Sequence, residues 1–238
     1  MKNKTLKTIL AGAAAAAMLL GGTAVYAEET TESTAEAVTE AAGEEAEAEA
    51  EEDYTTGDAS LDNVRNQDEI GEKELLVISF GTSFNDNRRL TIGAIEEAME
   101  EAFPDYSVRR GFTSNIIIDH VNSRDGILID DVEAALNRAV DNGVKTLVIQ
   151  PTHLMDGLEY QDVEAMVAEY ADSFEQVVMG EPLLSSEEDF DAVAAAITDA
   201  TSEYDDGQTA ICFMGHGTEA ESNEVYAKMQ EKLTELGF

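Results

Sequence analysis

Cysteine is almost missing from this 238-residue chain: Cys212 stands alone, which excludes a disulfide framework and any cysteine-rich metal site. Basic residues are scarce too, 14 lysines and arginines facing 51 acidic residues for a formal net charge of −37. Nucleic acid demands a basic footprint for its phosphates, so a surface this negative argues against it, and equally against an anionic membrane face. Gly81-Thr82-Ser83 resembles a phosphate-cradling turn, but neither GxGxxG nor the lysine of GxxxxGK[ST] completes it, which leaves a nucleotide site weakly supported. The Gly-x-Ser-x-Gly elbow of serine hydrolases is missing as well. No apolar run reaches the roughly 20 residues of a spanning helix. Hydrophobic residues still make up 43% of the chain, enough to bury a core.

The front end reads as disposable. Lys2, Lys4 and Lys7 precede an apolar stretch from Ile9 to Leu20, and Val25-Tyr26-Ala27 forms a small-x-small end point. This is the layout of a secretory leader over 1–27, cleaved near Ala27, with a membrane anchor as the alternative. The expected location is therefore outside the cytoplasm. Residues 28–60 then carry 13 acidic side chains and no basic one. Like charges repel and little apolar surface is available, so an acidic, disordered linker is expected over 28–70. Its carboxylates could attract divalent metal, or simply hold a domain away from a surface.

From Glu74 the pattern changes. Leu75 to Phe80 is a continuous apolar run ending at Gly81, as in a strand buried on both faces. Ile92, Ile95, Met99 and Ala102 follow at helical spacing, with Asn85 or Asp86 as cap. Strands are expected again at 106–112, 146–150, 175–180 and 209–214. Helices are expected around Val132 to Val140 (capped by Asp130, ended by Gly143), Val163 to Tyr170, Phe190 to Ile197, and 221–236. Short apolar strands alternating with amphipathic helices mean an α/β fold with a parallel sheet flanked by helices. Ligands in such sheets sit beyond the carboxyl ends of the strands, where strand order reverses.

Two of the three histidines fall directly after expected strands, His153 after the third and His216 after the fifth; His120 lies in a connecting segment. A single histidine is ordinarily just a satisfied polar residue. Two at equivalent strand ends, with Glu159 nearby, suggest a first shell for cobalt, nickel, iron or zinc, or a proton-transfer pair. Gly215-His216-Gly217 adds a tight turn with room for a flat ligand over the imidazole, or is an ordinary strand-to-helix turn.

Six short segments, LLVISFGTSF (75–84), FTSNIII (112–118), RDGI (124–127), THLMDGLEY (152–160), GEPLLSS (180–186) and FMGHG (213–217), run in order along the chain. In that order they resemble the anaerobic, class II sirohydrochlorin cobaltochelatases, whose architecture is related to ferrochelatase. The resemblance implies ATP-independent insertion of Co²⁺, with Fe²⁺ or Ni²⁺ as alternatives, into sirohydrochlorin or a related tetrapyrrole. It makes His216 metal ligand and base and Glu159 its assistant. It also implies two α/β lobes, of which the chain would hold the first over 71–204 and only the start of a second over 205–238. A C-terminally truncated chain is then expected, whose apolar strand from Thr209 would drive homo-oligomerisation.

His153 is the second candidate metal ligand, and Leu154, Met155 and Leu158 could support the macrocycle face or simply pack the lobe. Arg88 and Arg89 are candidates for binding substrate carboxylates, bidentate geometry suiting arginine; a surface pair on a helix's first turn is the plainer reading. Ser83 and Gly217 are further substrate-binding candidates. No nucleotide is expected, and nothing in the residues indicates haem. A metal or tetrapyrrole carrier without turnover is the main competing function, and a protein-interaction domain the third.

Overall fold

The computed structural model describes residues 56–237. The leader at 1–27 and the acidic stretch to residue 55 lie outside the described residues.

The central strand, β1 (Lys73–Ser79), owes its position to its composition. Leu75, Leu76, Val77 and Ile78 are all at most 2% exposed, which only a strand covered on both faces and flanked on both edges can achieve. It pairs in parallel with β2 (Ser107–Phe112) on one side and β3 (Thr146–Pro151) on the other; β4 (Gln176–Met179) completes the order β2-β1-β3-β4. Successive side chains face opposite sides of a strand, so two cores form. Leu76, Ile78, Leu147 and Ile149 pack under α4 (Val132–Asp141) and α5 (Leu158–Tyr170). Leu75, Val77 and Val108 pack against α2 (Ile92–Ala102) and α6 (Glu187–Thr201). The expected parallel α/β sheet is present. Between β2 and α4 lies α3 (Asn115–Asp125).

Strand order reverses between β1 and β3. The chain crosses from β1 outward to β2, returns past β1 to β3 and continues outward to β4. The crevice that such a reversal opens therefore lies between the carboxyl ends of β1 and β3.

Four local expectations are revised. The expected strand at 209–214 does not form: no strand lies beside this segment among the described residues, and an extended chain without ladder partners has nothing to hold it. After it, α7 (Val225–Glu235) lies on α6, with Lys228 and Lys232 paired to Glu187 and Lys232 also to Asp191. Asp131, not Asp130, caps α4 by accepting from the Ala134 N–H. The helix expected after β1 is split at Thr91 into α1 (Asn85–Leu90) and α2, and neither is capped by Asn85 or Asp86.

The fourth concerns the linker. From Asp58 the chain is already part of the domain: a short 3-10 turn spans Ala59–Leu61, and Asp62 and Arg65 are buried. This segment covers the edge of β2, whose Arg110 N–H donates to the Arg65 carbonyl at 3.1 Å. The physical cause is charge. Adjacent Arg109 and Arg110 point to opposite faces of β2, and both are fully buried, so each requires carboxylates. Arg110 takes Glu96 at 2.7 Å and Asp62 at 2.8 Å; Arg109 takes Asp130 at 2.9 Å.

Candidate active site

Two strand ends build the crevice. On the β1 side, Ser79 leads into Gly81, whose φ of +103° and closeness to Phe112, with the ring 2.5 Å from where a Cβ would sit, admit only glycine. On the β3 side, the Thr152 N–H donates to the Ile78 carbonyl at 2.8 Å and its hydroxyl to Ser79 Oγ at 2.9 Å, tying the strand ends together. His153 follows directly. Its carbonyl accepts from the Leu183 N–H at 3.0 Å, which backs it against the loop after β4.

The His153 side chain is only 10% exposed, yet neither ring nitrogen makes a hydrogen bond. Burial holds its pKa below the ordinary value, so at neutral pH it is an uncharged imidazole. Glu159, in the first turn of α5, places Oε2 3.5 Å from His153 Nε2, close but without a hydrogen bond. Its carboxyl is pushed upward mainly by burial and further by the Asp162 charge, and His216 opposes both. The loop carrying His216 passes Gly157, beside Thr218.

The turn around His216 is shaped by Tyr226, which nothing in the sequence pattern singled out. A Cβ on Gly215 would lie 2.1 Å from the Tyr226 ring, and the Gly217 N–H donates to Tyr226 Oη at 3.0 Å. Gly215 thus makes room for Tyr226 and not for an outside ligand. Gly217, at φ +84°, faces open space. His216 itself is exposed.

A family model described as "Cobalt chelatase (CbiK)" matches residues 73–238. The chain belongs to the cobalt chelatase family. Among curated relatives it is similar to the sirohydrochlorin cobaltochelatase of Salmonella typhimurium, 33% identical over 167 residues, covering 70% of this chain and 63% of that protein. It is also similar to sirohydrochlorin cobaltochelatase CbiKC of Nitratidesulfovibrio vulgaris, 30% identical over 173 residues, covering 70% and 60%. The chain thus spans less than two thirds of the length of these curated relatives.

In this cobalt chelatase family member Glu159 lies beside His153 and the loop carrying His216 passes the same turn at Gly157, while no group of three or more His, Cys, Asp or Glu among the described residues is arranged to hold a metal ion. Leu154 and Leu158 are 37% and 58% exposed, so each leaves apolar surface open beside His153 and Glu159. His120 is exposed on α3, apart from this group. The expectation for Arg88 is corrected. It is completely buried, with Nε 2.6 Å from Asp62, because an unpaired carboxylate at Asp62 would be costly in that interior. It cannot meet a substrate carboxylate. Arg89 is partly exposed and paired with Asp86 at 3.3 Å. Ser83 is partly exposed, its carbonyl taken by Arg124 at 2.7 Å. Arg124, from the RDGI segment, escaped the sequence reading because its role needs a partner 41 residues away.

Proposed function

We propose that this chain is an ATP-independent cobaltochelatase that inserts Co²⁺ into sirohydrochlorin, working outside the cytoplasm after cleavage near Ala27. The names of its relatives supply the substrate and metal. The observation that carries the reading is His153: a buried, uncharged imidazole with both nitrogens unbonded, at the reversal of strand order and beside a carboxylate.

Insertion exchanges two pyrrole protons for one Co²⁺. His153 accepts one proton, for which a neutral imidazole is suited, and Glu159 takes the second and compensates the charge. Exposed His216 presents the metal, leaving other coordination positions free for the ring nitrogens. Leu154 and Leu158 offer the apolar surface on which the macrocycle rests. The same nitrogen and oxygen donors would accept Fe²⁺ or Ni²⁺, which makes metal choice a property to be measured.

The test is anaerobic metallation by the purified chain, followed by the absorption change of sirohydrochlorin. Turnover beyond one equivalent is expected, with His153→Ala and His216→Ala each reducing kcat by about a hundredfold or more. Stoichiometric binding without turnover would replace the enzyme with a carrier. For export, N-terminal sequencing of the protein from culture should read from Glu28.

A further inference from the structure

A tetrapyrrole rich in carboxylates has to be received by a domain in which 38 acidic residues oppose 11 basic ones from position 61 onward. Few cations of the described residues are left to receive it. Among the described residues every arginine and lysine lies within ion-pair distance of a carboxylate, except Lys73, which sits over the Tyr106 ring. Neutral donors are therefore worth seeking.

The loop after β1 is built to supply them. The Ser79 carbonyl accepts from the Thr113 N–H at 2.9 Å and the Phe80 carbonyl from the Ser114 N–H at 3.3 Å. Arg88 donates to the Thr82 carbonyl at 3.1 Å and Arg124 to the Ser83 carbonyl at 2.7 Å. All four donors come from the β2 side: the segment after β2, α1 and α3. In a planar trans peptide the N–H points opposite to the C=O, and no peptide here is cis. The N–H groups of Gly81 and Ser83 therefore face the β3 side, where His153 lies. Neither donates to an acceptor among the described residues. Adjacent backbone N–H groups turned one way form an anion-binding concavity.

The two guanidinium groups are locked to each other. Asn85 Oδ1 accepts from Arg88 at 2.6 Å and from Arg124 at 3.1 Å, Asp62 holds Arg88, and Asp125 holds Arg124. We propose that the backbone N–H groups of residues 81 and 83 bind a carboxylate of the anionic tetrapyrrole, with Arg88 as a positioning residue that draws the Thr82 carbonyl, and with it the Ser83 N–H, into place, and Arg124 bracing Arg88 through Asn85 Oδ1. This rests on the function proposed above and assigns the RDGI segment its task.

Arg124 carries the test because Arg88 is buried. The full chain and its Arg124→Ala and Arg124→Lys variants are titrated by absorbance with sirohydrochlorin and, separately, with its methyl ester. Arg124→Ala should weaken free-acid binding about tenfold, the value of one hydrogen bond to a charged group, while leaving ester binding unchanged. Arg124→Lys, which retains one donor for Asn85 Oδ1, should stay within about threefold of wild type. Equal losses for acid and ester, or no loss, would overturn the proposal while leaving the chelatase reading intact. Failure of the wild type to bind the free acid would overturn both. A readout independent of variant folding is the wild-type amide spectrum: Gly81 and Ser83 N–H resonances should shift with the free acid and not with the ester.

Discussion

Lowering the pH from 8 to 5 should stabilise this domain through a single carboxyl far from the crevice. Glu74, near the amino end of β1, is completely buried. Its only bond, from Arg109, is 3.4 Å long, and Oε2 has no partner, because Arg109 sits closer to Asp130, at 2.9 Å. Burial first, with the Asp130 charge adding to it and Arg109 only partly offsetting it, pushes the Glu74 pKa up from 4.5 to about 7. The folded protein therefore keeps a proton between those values that the unfolded chain has released. Glu74's contribution to stability is complete below pH 4.5 and is lost as pH rises through 7. At about 1.4 kcal/mol per pKa unit, the span from pH 5 to pH 8 is worth roughly 2.5 kcal/mol. For a domain of this size that is roughly 5–10 °C in Tm. Glu74→Gln is neutral throughout and lacks this slope. Melts of both proteins across pH 5–8 should converge at the acid end and separate at the alkaline end, with the variant above wild type. His153, whose lowered pKa acts in the opposite sense, contributes equally to both and cancels. Parallel profiles would refute the assignment of a buried, under-paired Glu74.

Gly81→Ala should cost about 2–4 kcal/mol, combining a left-handed backbone with a clash against Phe112; Gly126→Ala, at φ +68° with nothing within 4 Å, isolates the backbone share at about 1–2 kcal/mol. Equal denaturation midpoints for these two variants would contradict the tight contact at Phe112. Tyr226→Phe should cost about 1 kcal/mol by removing the acceptor of the Gly217 N–H, and hydrogen exchange at that amide should accelerate.

Why so much of the fold was readable, and some of it not, follows from how local each signal is. Strands covered on both faces appear as unbroken apolar runs, and 75–80, 146–150 and their neighbours were found within two residues of their ends. The segment 209–214 looks the same in sequence but remains unpaired, since a strand is completed by its neighbours and not by its own side chains. Arg88 was misread for a related reason. Helical spacing says nothing about an acidic partner 26 residues earlier, in a stretch whose composition resembles a linker.

Taken alone, the order of residues determined the alternation of strands and helices up to residue 201, the strand-end position of His153 and the family motifs, because periodicity and turn chemistry act over a few residues. Tertiary structure alone decided that His153 would be buried with both nitrogens unbonded, that Tyr226 would fill the space at Gly215, and that the arginines would be consumed inside the domain. Those outcomes depend on desolvation and pairing between distant segments, which exist only once the chain has closed on itself.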